Sequence, residues 1–181
     1  MKKLRIVTFG DPVLRQTAKP ITVFHSKLHS VIGSIASTLE SRADGAALAA
    51  PQVSLLKRIT VVDYQGEYIE FVNPEILAGE GEQTDFEGCL SFPGYFGEVP
   101  RYMDIRVKYQ NRNGEELIIE RSGKMARCIQ HEIDHLNGIL FVDRMKEEFV
   151  FHSDTNEKIS LQSVVELSNG NMKNLGKEPL F

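Results

Sequence analysis

The stretch SGKMARCIQHEIDHLNG, residues 122–138, has the pattern of a single amphipathic α-helix. Its apolar side chains recur at spacings of three and four residues and predict one buried face, formed by Met125, Ile129, Ile133 and Leu136. Ser122 suits the N-cap and Gly138 suits a left-handed C-cap, so we expect a helix from Gly123 to about Asn137. A helix with such a face has to pack against other elements, and we place it at the centre of the fold.

Two histidines four residues apart, His131 and His135, stand on this helix with Glu132 beside the first. This spacing places both imidazoles on one helix face, within reach of a single metal ion. A divalent ion lowers the pKa of water that it binds, and a neighbouring carboxylate can accept the proton. The pattern therefore predicts a hydrolytic metal site with Glu132 as the base. The alternative is a helix that carries two histidines by chance, but histidines near a buried face are costly without a partner.

A third ligand has to come from elsewhere, because a catalytic site of this type uses three protein ligands and keeps one position open. The extended protease pattern H-E-x-x-H-x-x-G-x-x-H holds through Gly138 and fails at Phe141. Cys128 lies roughly 7 Å along the helix axis from the midpoint of the two histidines, so a metal–sulfur bond is out of reach. Cys128 is better interpreted as a pocket residue beside the site.

Cys89 is the remaining cysteine and the predicted third ligand. It lies in Glu87-Gly-Cys-Leu-Ser91, a Gly-containing segment that can bring a thiolate to the helix from another element. Two alternatives stay open here. In the first, Cys89 is a buried free cysteine that binds no metal. In the second, a downstream carboxylate, Glu157 or Glu166, supplies the third ligand.

Elements on both sides of the helix predict an α+β fold with largely antiparallel sheets packed around it. An apolar stripe from Leu28 to Leu39 predicts a second long amphipathic helix over about Ser26 to Arg42. Two alternating runs, Asp104 to Gln110 and Glu115 to Glu120, flank a Gly-containing turn and predict a β-hairpin. Further strands are expected near Leu4 to Phe9, Arg58 to Asp63, and Tyr68 to Val72, the last ended by Asn73-Pro74.

Length and composition limit the class of protein. The 181 residues and 20.4 kDa predict one catalytic domain over residues 1–181, with about 145–181 as a C-terminal extension whose end, Ser168 to Phe181, is expected to be mobile. A net charge of −4 is opposite to that of nucleic-acid binders. No apolar run approaches the roughly 20 residues of a membrane span, and the N-terminal stretch reaches Gly10, Asp11 and Pro12 before a signal-peptide core could form, so we expect a soluble, cytoplasmic protein. Two cysteines are too few for a disulfide scaffold.

Three separated motifs resemble those of the peptide deformylase family. They are Gly45-Ala-Ala-Leu-Ala-Ala-Pro-Gln52, Glu87-Gly-Cys-Leu-Ser91 and His131-Glu-Ile-Asp-His135, in the family's order and with 42 residues between Cys89 and His131. The resemblance extends from about Leu4 to Arg144. It implies removal of the N-formyl group from the first methionine of nascent chains, with formate as a product.

The resemblance also implies roles for individual residues. Cys89, His131 and His135 would hold one divalent metal ion, commonly Fe²⁺ in the cell and replaceable by Zn²⁺, Ni²⁺ or Co²⁺. Glu132 would take the proton of the attacking water and pass it to the departing amine. The side-chain amide of Gln52 and the backbone N–H of Leu90 would stabilise the charge that develops on the formyl oxygen.

A substrate pocket is implied by the first motif and the helix. Gly45, Ala46, Ala47 and Cys128 would bind the substrate, whose methionine suits an apolar pocket. Ala47 departs from the family, which usually has Gly there, and a positive φ at this position would strain the loop. Emerging formylmethionyl peptides are the implied partners, and the ribosome is a candidate partner.

A smaller hypothesis concerns the motif around Cys89. An ion pair between Glu87 and Arg101, similar to one in the family, is expected to hold the loop of Cys89.

The motifs leave two rival functions: a metalloprotease that cleaves internal peptide bonds, and a non-enzymatic Cys-His-His metal module. The latter needs a fourth protein ligand and leaves Glu132 without a task.

Overall fold

The computed structural model describes residues 2–166, and the expected mobility of Ser168 to Phe181 falls outside them. Its long helices are α1 (Ser26–Glu40) and α2 (Gly123–Leu136). Its strands are β1 (Ala47–Ala49), β2 (Ile59–Tyr64), β3 (Glu67–Glu80), β4 (Gln83–Cys89), β5 (Phe92–Arg101), β6 (Asp104–Gln110), β7 (Glu116–Ser122), β8 (Phe149–His152) and β9 (Lys158–Ser160). Short 3-10 turns cover Pro12–Arg15, Ala50–Val53 and Phe141–Asp143, and residues 161–166 are helical.

The strands form two antiparallel sheets. Sheet one has five strands in the order β1-β2-β3-β6-β7, and sheet two has four in the order β4-β5-β8-β9. Within residues 2–166 the named strands pair only in antiparallel fashion, and one isolated bridge between Lys19 and Lys57 is parallel. The prediction of an α+β fold with largely antiparallel sheets is confirmed.

Sheet one lies between the two long helices. Strand β2 shows why, because its side chains alternate between two buried faces: Ile59 and Val61 pack with α1, whereas Val62 packs with α2. On the α2 side the core is formed by Phe71, Ile105, Val107, Met125, Ala126, Ile129 and Ile133. The predicted apolar stripe of α2 is therefore buried against sheet one.

The polar side of α2 faces sheet two. Sheet two has its own core, in which Phe92, Val99 and Val150 pack with Phe141. Between this core and sheet one, α2 buries eleven residues, including Arg127, Gln130 and the segment His131–His135. Because buried charged groups need partners, the face of α2 that meets sheet two carries a network of ion pairs and hydrogen bonds.

Several local predictions are confirmed. Helix α1 begins at Ser26 as expected and ends at Glu40, two residues before the expected end. The predicted hairpin is the pair β6 and β7. Gly138 follows α2 with φ of 73°, the left-handed conformation of a helix C-cap.

The expected strand over Leu4 to Phe9 is wrong. These residues join neither sheet. Their backbone instead makes isolated hydrogen bonds: Val7 N–H donates to the Gln52 carbonyl at 2.8 Å, and Phe9 N–H donates to the Ser91 carbonyl at 2.6 Å. A run of alternating apolar residues predicts burial of one side, but it does not show whether a partner strand exists.

The predicted end of the strand near Val72 is also wrong, because β3 continues through Asn73-Pro74 to Glu80. The pairing of β3 with β6 shifts register between Val72 and Glu75, and Asn73 has a φ of 51°. The Asn73 amide bonds the backbone N–H and C=O of Ile21, both at 2.8 Å. A bulge thus accommodates a sequence that ordinarily ends a strand.

Candidate metal centre and active site

Cys89, His131 and His135 come together between α2 and the end of β4. Their ligand atoms all lie within 4.8 Å of one another, and Sγ of Cys89 is 3.3 Å from Nε2 of His135. Glu157 and Glu166, the alternative third ligands, are exposed and lie outside this group. The end of β4 and one face of α2 therefore meet at one point, although Cys89 and His131 are 42 residues apart in sequence.

These three residues fit a divalent transition metal. One thiolate and two imidazoles form a mixed sulfur and nitrogen donor set, which suits iron, zinc, nickel and cobalt. The two histidines are buried, and Cys89 is half-buried and lines a cavity of about 560 Å³. An ion held here would be enclosed by protein on the helix side and open to the cavity on the other, as in catalytic rather than structural sites.

Glu87 orients the first histidine. Its Oε2 lies 2.8 Å from Nδ1 of His131, which leaves Nε2 of that ring to face the other ligand atoms. Burial would raise the pKa of Glu87, but hydrogen bonds from His131 and Arg101 outweigh this effect and hold that pKa well below its usual range. Glu87 is therefore a buried carboxylate that stays ionised beside the site.

Arg101 connects Glu87 to the rest of the helix. Its Nε and Nη2 donate to the two oxygens of Glu87 at 2.9 and 3.0 Å, and its Nη1 pairs with Asp134. Arg144 binds Asp134 from the other side at 2.8 Å. The expected ion pair of Glu87 and Arg101 is present. The bond between Glu87 and His131 was not predicted from the sequence.

Glu132 lies beside the ligand group and lines the cavity. It is only 4% exposed, and its Oε2 accepts a bond from the Thr60 hydroxyl at 3.4 Å. Burial raises the pKa of Glu132 to about 7, and a cation held by the neighbouring ligands would oppose that shift. A carboxylate so placed can accept a proton near neutral pH.

The side chain of Gln52 is held in one orientation. Its Oε1 accepts from the backbone N–H of Ala49 at 2.8 Å, so its amide hydrogens must point the other way. Nε2 then faces the Ser91 hydroxyl at 3.2 Å and Sγ of Cys89 at 3.5 Å. Gln52 thus presents donors to the site from a buried position.

Leu90 lies in the two-residue turn that joins β4 to β5, next to Cys89, and it lines the same cavity as Gln52. Ser91, the second residue of this turn, donates its backbone N–H to Sγ of Cys89 at 3.4 Å. This bond helps to hold the sulfur in place where Cys89 lines the cavity.

All four residues expected to bind the substrate line this cavity: Gly45, Ala46, Ala47 and Cys128. Burial raises the pKa of the Cys128 thiol far above its usual range, so Cys128 is a neutral, apolar wall residue. A Cβ at Gly45 would lie 2.9 Å from Leu39 Cδ1, so a larger residue here would require the Leu39 side chain to shift.

Three residues with contacts at the site were not predicted from the sequence: Thr60, Ser91 and Arg127. Arg127 offered one signal, since it precedes His131 by four residues and so shares its helix face. For Thr60 the sequence offered no signal, because its contact with Glu132 depends on the packing of β2 against α2.

The sequence matches the polypeptide deformylase family over residues 3–149. The chain belongs to this family. As a deformylase, it is a metal-dependent hydrolase that removes N-formyl groups. No helix among the described residues is long and apolar enough to span a membrane.

Individual deformylases are similar to this chain in sequence and in structure. The peptide deformylase of Heliobacterium modesticaldum is 49% identical over 148 residues, which cover 82% of this chain and 97% of that protein. The crystal structure of the Thermotoga maritima enzyme superposes with a TM-score of 0.79 at 44% identity, over 81% of this chain and 100% of that one. A peptide deformylase from Synechococcus elongatus, solved in complex with actinonin, has a TM-score of 0.78 at 34% identity and covers 98% of this chain and 88% of its own.

Proposed function

We propose that this deformylase removes the formyl group from the N-terminal methionine of nascent chains, with Glu132 as the proton-transferring residue and Gln52 and Leu90 as donors to the formyl oxygen. The observation that carries the proposal is the placement of a buried carboxylate and an oriented amide next to the Cys89, His131 and His135 group. Glu132, Gln52, Cys89 and His131 line a single cavity, and the ligand atom of His135 lies within 4.8 Å of those of Cys89 and His131.

Cys89, His131 and His135 would hold one divalent metal ion, and Fe²⁺ is our assignment for the cell, with Zn²⁺, Ni²⁺ and Co²⁺ as substitutes. When bound, such an ion supplies Lewis acidity, which polarises the formyl group and makes water more acidic. Glu87 holds the His131 ring in position through its 2.8 Å contact with Nδ1. Support comes from the mixed donor set and from the open cavity beside Cys89.

Glu132 transfers the proton in this reaction. It takes one proton from the water whose oxygen bonds to the formyl carbon, and it passes that proton to the nitrogen as the C–N bond breaks. The products are formate and a free amino terminus. The Thr60 hydroxyl, 3.4 Å from Oε2, helps to hold the carboxylate in place for both transfers.

Gln52 and Leu90 stabilise the negative charge that develops on the formyl oxygen. The bond from Ala49 N–H to Oε1 holds the Gln52 amide in place before the charge forms, with its donors on the cavity side. Removal of one such donor costs on the order of 10² to 10³ in rate.

The peptide part of the substrate would lie between two sheet edges. Strand β1 is an edge of sheet one and β4 is an edge of sheet two, and both line the cavity. An extended peptide can add to such edges through backbone hydrogen bonds. The methionine side chain would enter the pocket formed by Ala46, Ala47 and Cys128, whose apolar walls suit an unbranched thioether.

We further propose that residues 1–181 form one catalytic domain and that the enzyme acts in the cytoplasm on formylated nascent chains, with the ribosome as a candidate partner. Support for the single domain comes from β8, which begins at Phe149, where the family match ends, and pairs with β5 in sheet two. The start of the C-terminal extension is thus part of the same sheet as Cys89.

The deciding experiment measures formate release from formyl-Met-Ala-Ser by protein purified without oxygen or loaded with Ni²⁺, because Fe²⁺ beside a thiolate is prone to oxidation. The wild type is expected to release formate, and Glu132→Ala is expected to lose at least 10²-fold in rate while it retains metal. Equal rates for both proteins would refute the role of Glu132.

Membership in the deformylase family favours deformylation over both rival functions, a metalloprotease and a structural metal module.

A further inference from the structure

The metal-ligand candidates come from two elements that the apolar core does not hold together directly. The apolar side of α2 packs on sheet one, whereas Cys89 stands at the end of β4 in sheet two. The distance between Cys89 and the two histidines therefore depends on the polar contacts that cross from α2 to sheet two. Those contacts determine how well the three ligands suit one ion.

Arg127 makes the densest set of these contacts. Its Nη1 donates to Oε1 of Glu87 and to the Val99 carbonyl, both at 2.8 Å, and lies 3.4 Å from the Asp85 carbonyl. Its Nη2 donates to the Gln83 carbonyl at 3.1 Å. One guanidinium on α2 thus bridges the backbones of β4 and β5 and the carboxylate that orients His131.

The position of Arg127 on the helix couples it to the ligands. Arg127, His131 and His135 follow one another at four-residue intervals and so lie on one face of α2, directed at sheet two. Arg127 binds Oε1 of Glu87, while His131 binds Oε2 of the same carboxylate. Movement of the guanidinium would remove one of the bonds that hold Glu87, and with it the His131 ring, in place, and would leave only those from Arg101.

Packing alone does not explain an arginine here. Arg127 is 6% exposed and its buried Nε has no hydrogen-bond partner among the described residues, so burial of this guanidinium carries a cost despite the bonds of Nη1 and Nη2. A methionine would fill similar space without that cost. Lysine carries the same charge but has a single ammonium group, which cannot reproduce the planar fork that reaches both strands and Glu87.

We infer that Arg127 is a positioning residue for the metal centre: it sets the spacing of Cys89 on β4 from His131 and His135 on α2, and so determines how tightly the ion is held. The inference rests on the metal site of the proposed function. It assigns Arg127 no contact with the formyl group and no proton transfer.

The test compares the release of Ni²⁺ to excess chelator from wild type, Arg127→Met, Arg127→Lys and the control Arg144→Met. Arg144 also pairs with a carboxylate of α2, Asp134, but it is 47% exposed and does not bind Glu87. Loss of a residue that supports a metal ligand typically costs 10- to 100-fold in affinity. We expect release from Arg127→Met to be 10- to 100-fold faster than from wild type, release from Arg127→Lys to be intermediate, and release from Arg144→Met to be within about twofold of wild type.

A second measurement excludes a general loss of structure. Co²⁺-loaded Arg127→Met should show a changed thiolate-to-metal absorption band, whereas Arg144→Met should not. Equal release from wild type and Arg127→Met, or equally accelerated release from Arg144→Met, would overturn the inference. If Arg127→Met does not fold, Arg127→Lys takes its place, and release at the wild-type rate refutes the inference. A wild type that binds no Ni²⁺ would instead refute the proposed metal site.

Discussion

At the scale of single residues, Ala47 shows how one methyl group can be compatible with the site. The family resemblance implies glycine here, and a positive φ would have meant strain. Ala47 is instead a β1 residue whose φ lies outside the left-handed region, and its side chain is buried against α2 and β2. The methyl group therefore contributes packing without backbone strain.

We expect Ala47→Gly to leave kcat/KM for formyl-Met-Ala-Ser within about twofold of wild type, because no strain is relieved. The free energy of unfolding should fall by roughly 1 kcal/mol, since a buried methyl is lost and the unfolded chain gains entropy. Steady-state kinetics and urea denaturation measure the two effects. A rise in kcat/KM of tenfold or more would show that Ala47 obstructs the substrate.

At the scale of an element, the end of α2 depends on Gly138. Its φ of 73° is unfavourable for other residues, and a Cβ would lie 2.6 Å from the carbonyl oxygen of Arg15. Because Gly138 packs against the backbone at the end of the Pro12–Arg15 turn, the substitution combines backbone strain with a clash against backbone atoms.

Gly138→Ala should lower the free energy of unfolding by about 2 kcal/mol or more. Gly66→Ala is the matched control, because Gly66 also has a positive φ, 81°, but no atom lies within 4 Å of its Cβ position. The control should lose only about 1 kcal/mol. Chemical denaturation of both variants provides the comparison, and equal losses would show that the contact with Arg15 is unimportant.

At the scale of the whole molecule, a bound ion would link the two sheets. Cys89 belongs to sheet two, and the two histidines belong to the helix that packs on sheet one. An ion that binds only the folded protein stabilises it by about 2.7 kcal/mol at a concentration of one hundred times Kd. Metal content should therefore be visible in the stability of the entire fold.

Addition of Ni²⁺ to metal-free protein should raise Tm by roughly 5 to 10 °C, and removal of the ion by a chelator should reverse the change. Cys89→Ala removes one ligand and should lose most of this shift, although its metal-free Tm stays close to that of wild type. Differential scanning calorimetry with and without Ni²⁺ measures both. The same Tm shift in the two proteins would argue that Cys89 does not hold the ion.

The sequence by itself determined the features that depend on neighbouring residues. The periodicity of residues 122–138 predicted α2 and the common face of His131 and His135, because helical spacing is a local property. The hairpin of β6 and β7 and the left-handed Gly138 were predicted for the same reason. The family was predicted from three short motifs, those that contain Gln52, Cys89 and His131.

Only the tertiary structure decided how distant segments meet. Sheet two was not predicted, because β4 and β5 around Cys89 contain glycines, prolines and a bulge that hide the alternation of a strand. The orientation of the Gln52 amide depends on Ala49 and Ser91, and the four bonds of Arg127 depend on two strands that lie 28 to 44 residues away in sequence. Such contacts are set by the packing of α2 between the sheets, which no local pattern records.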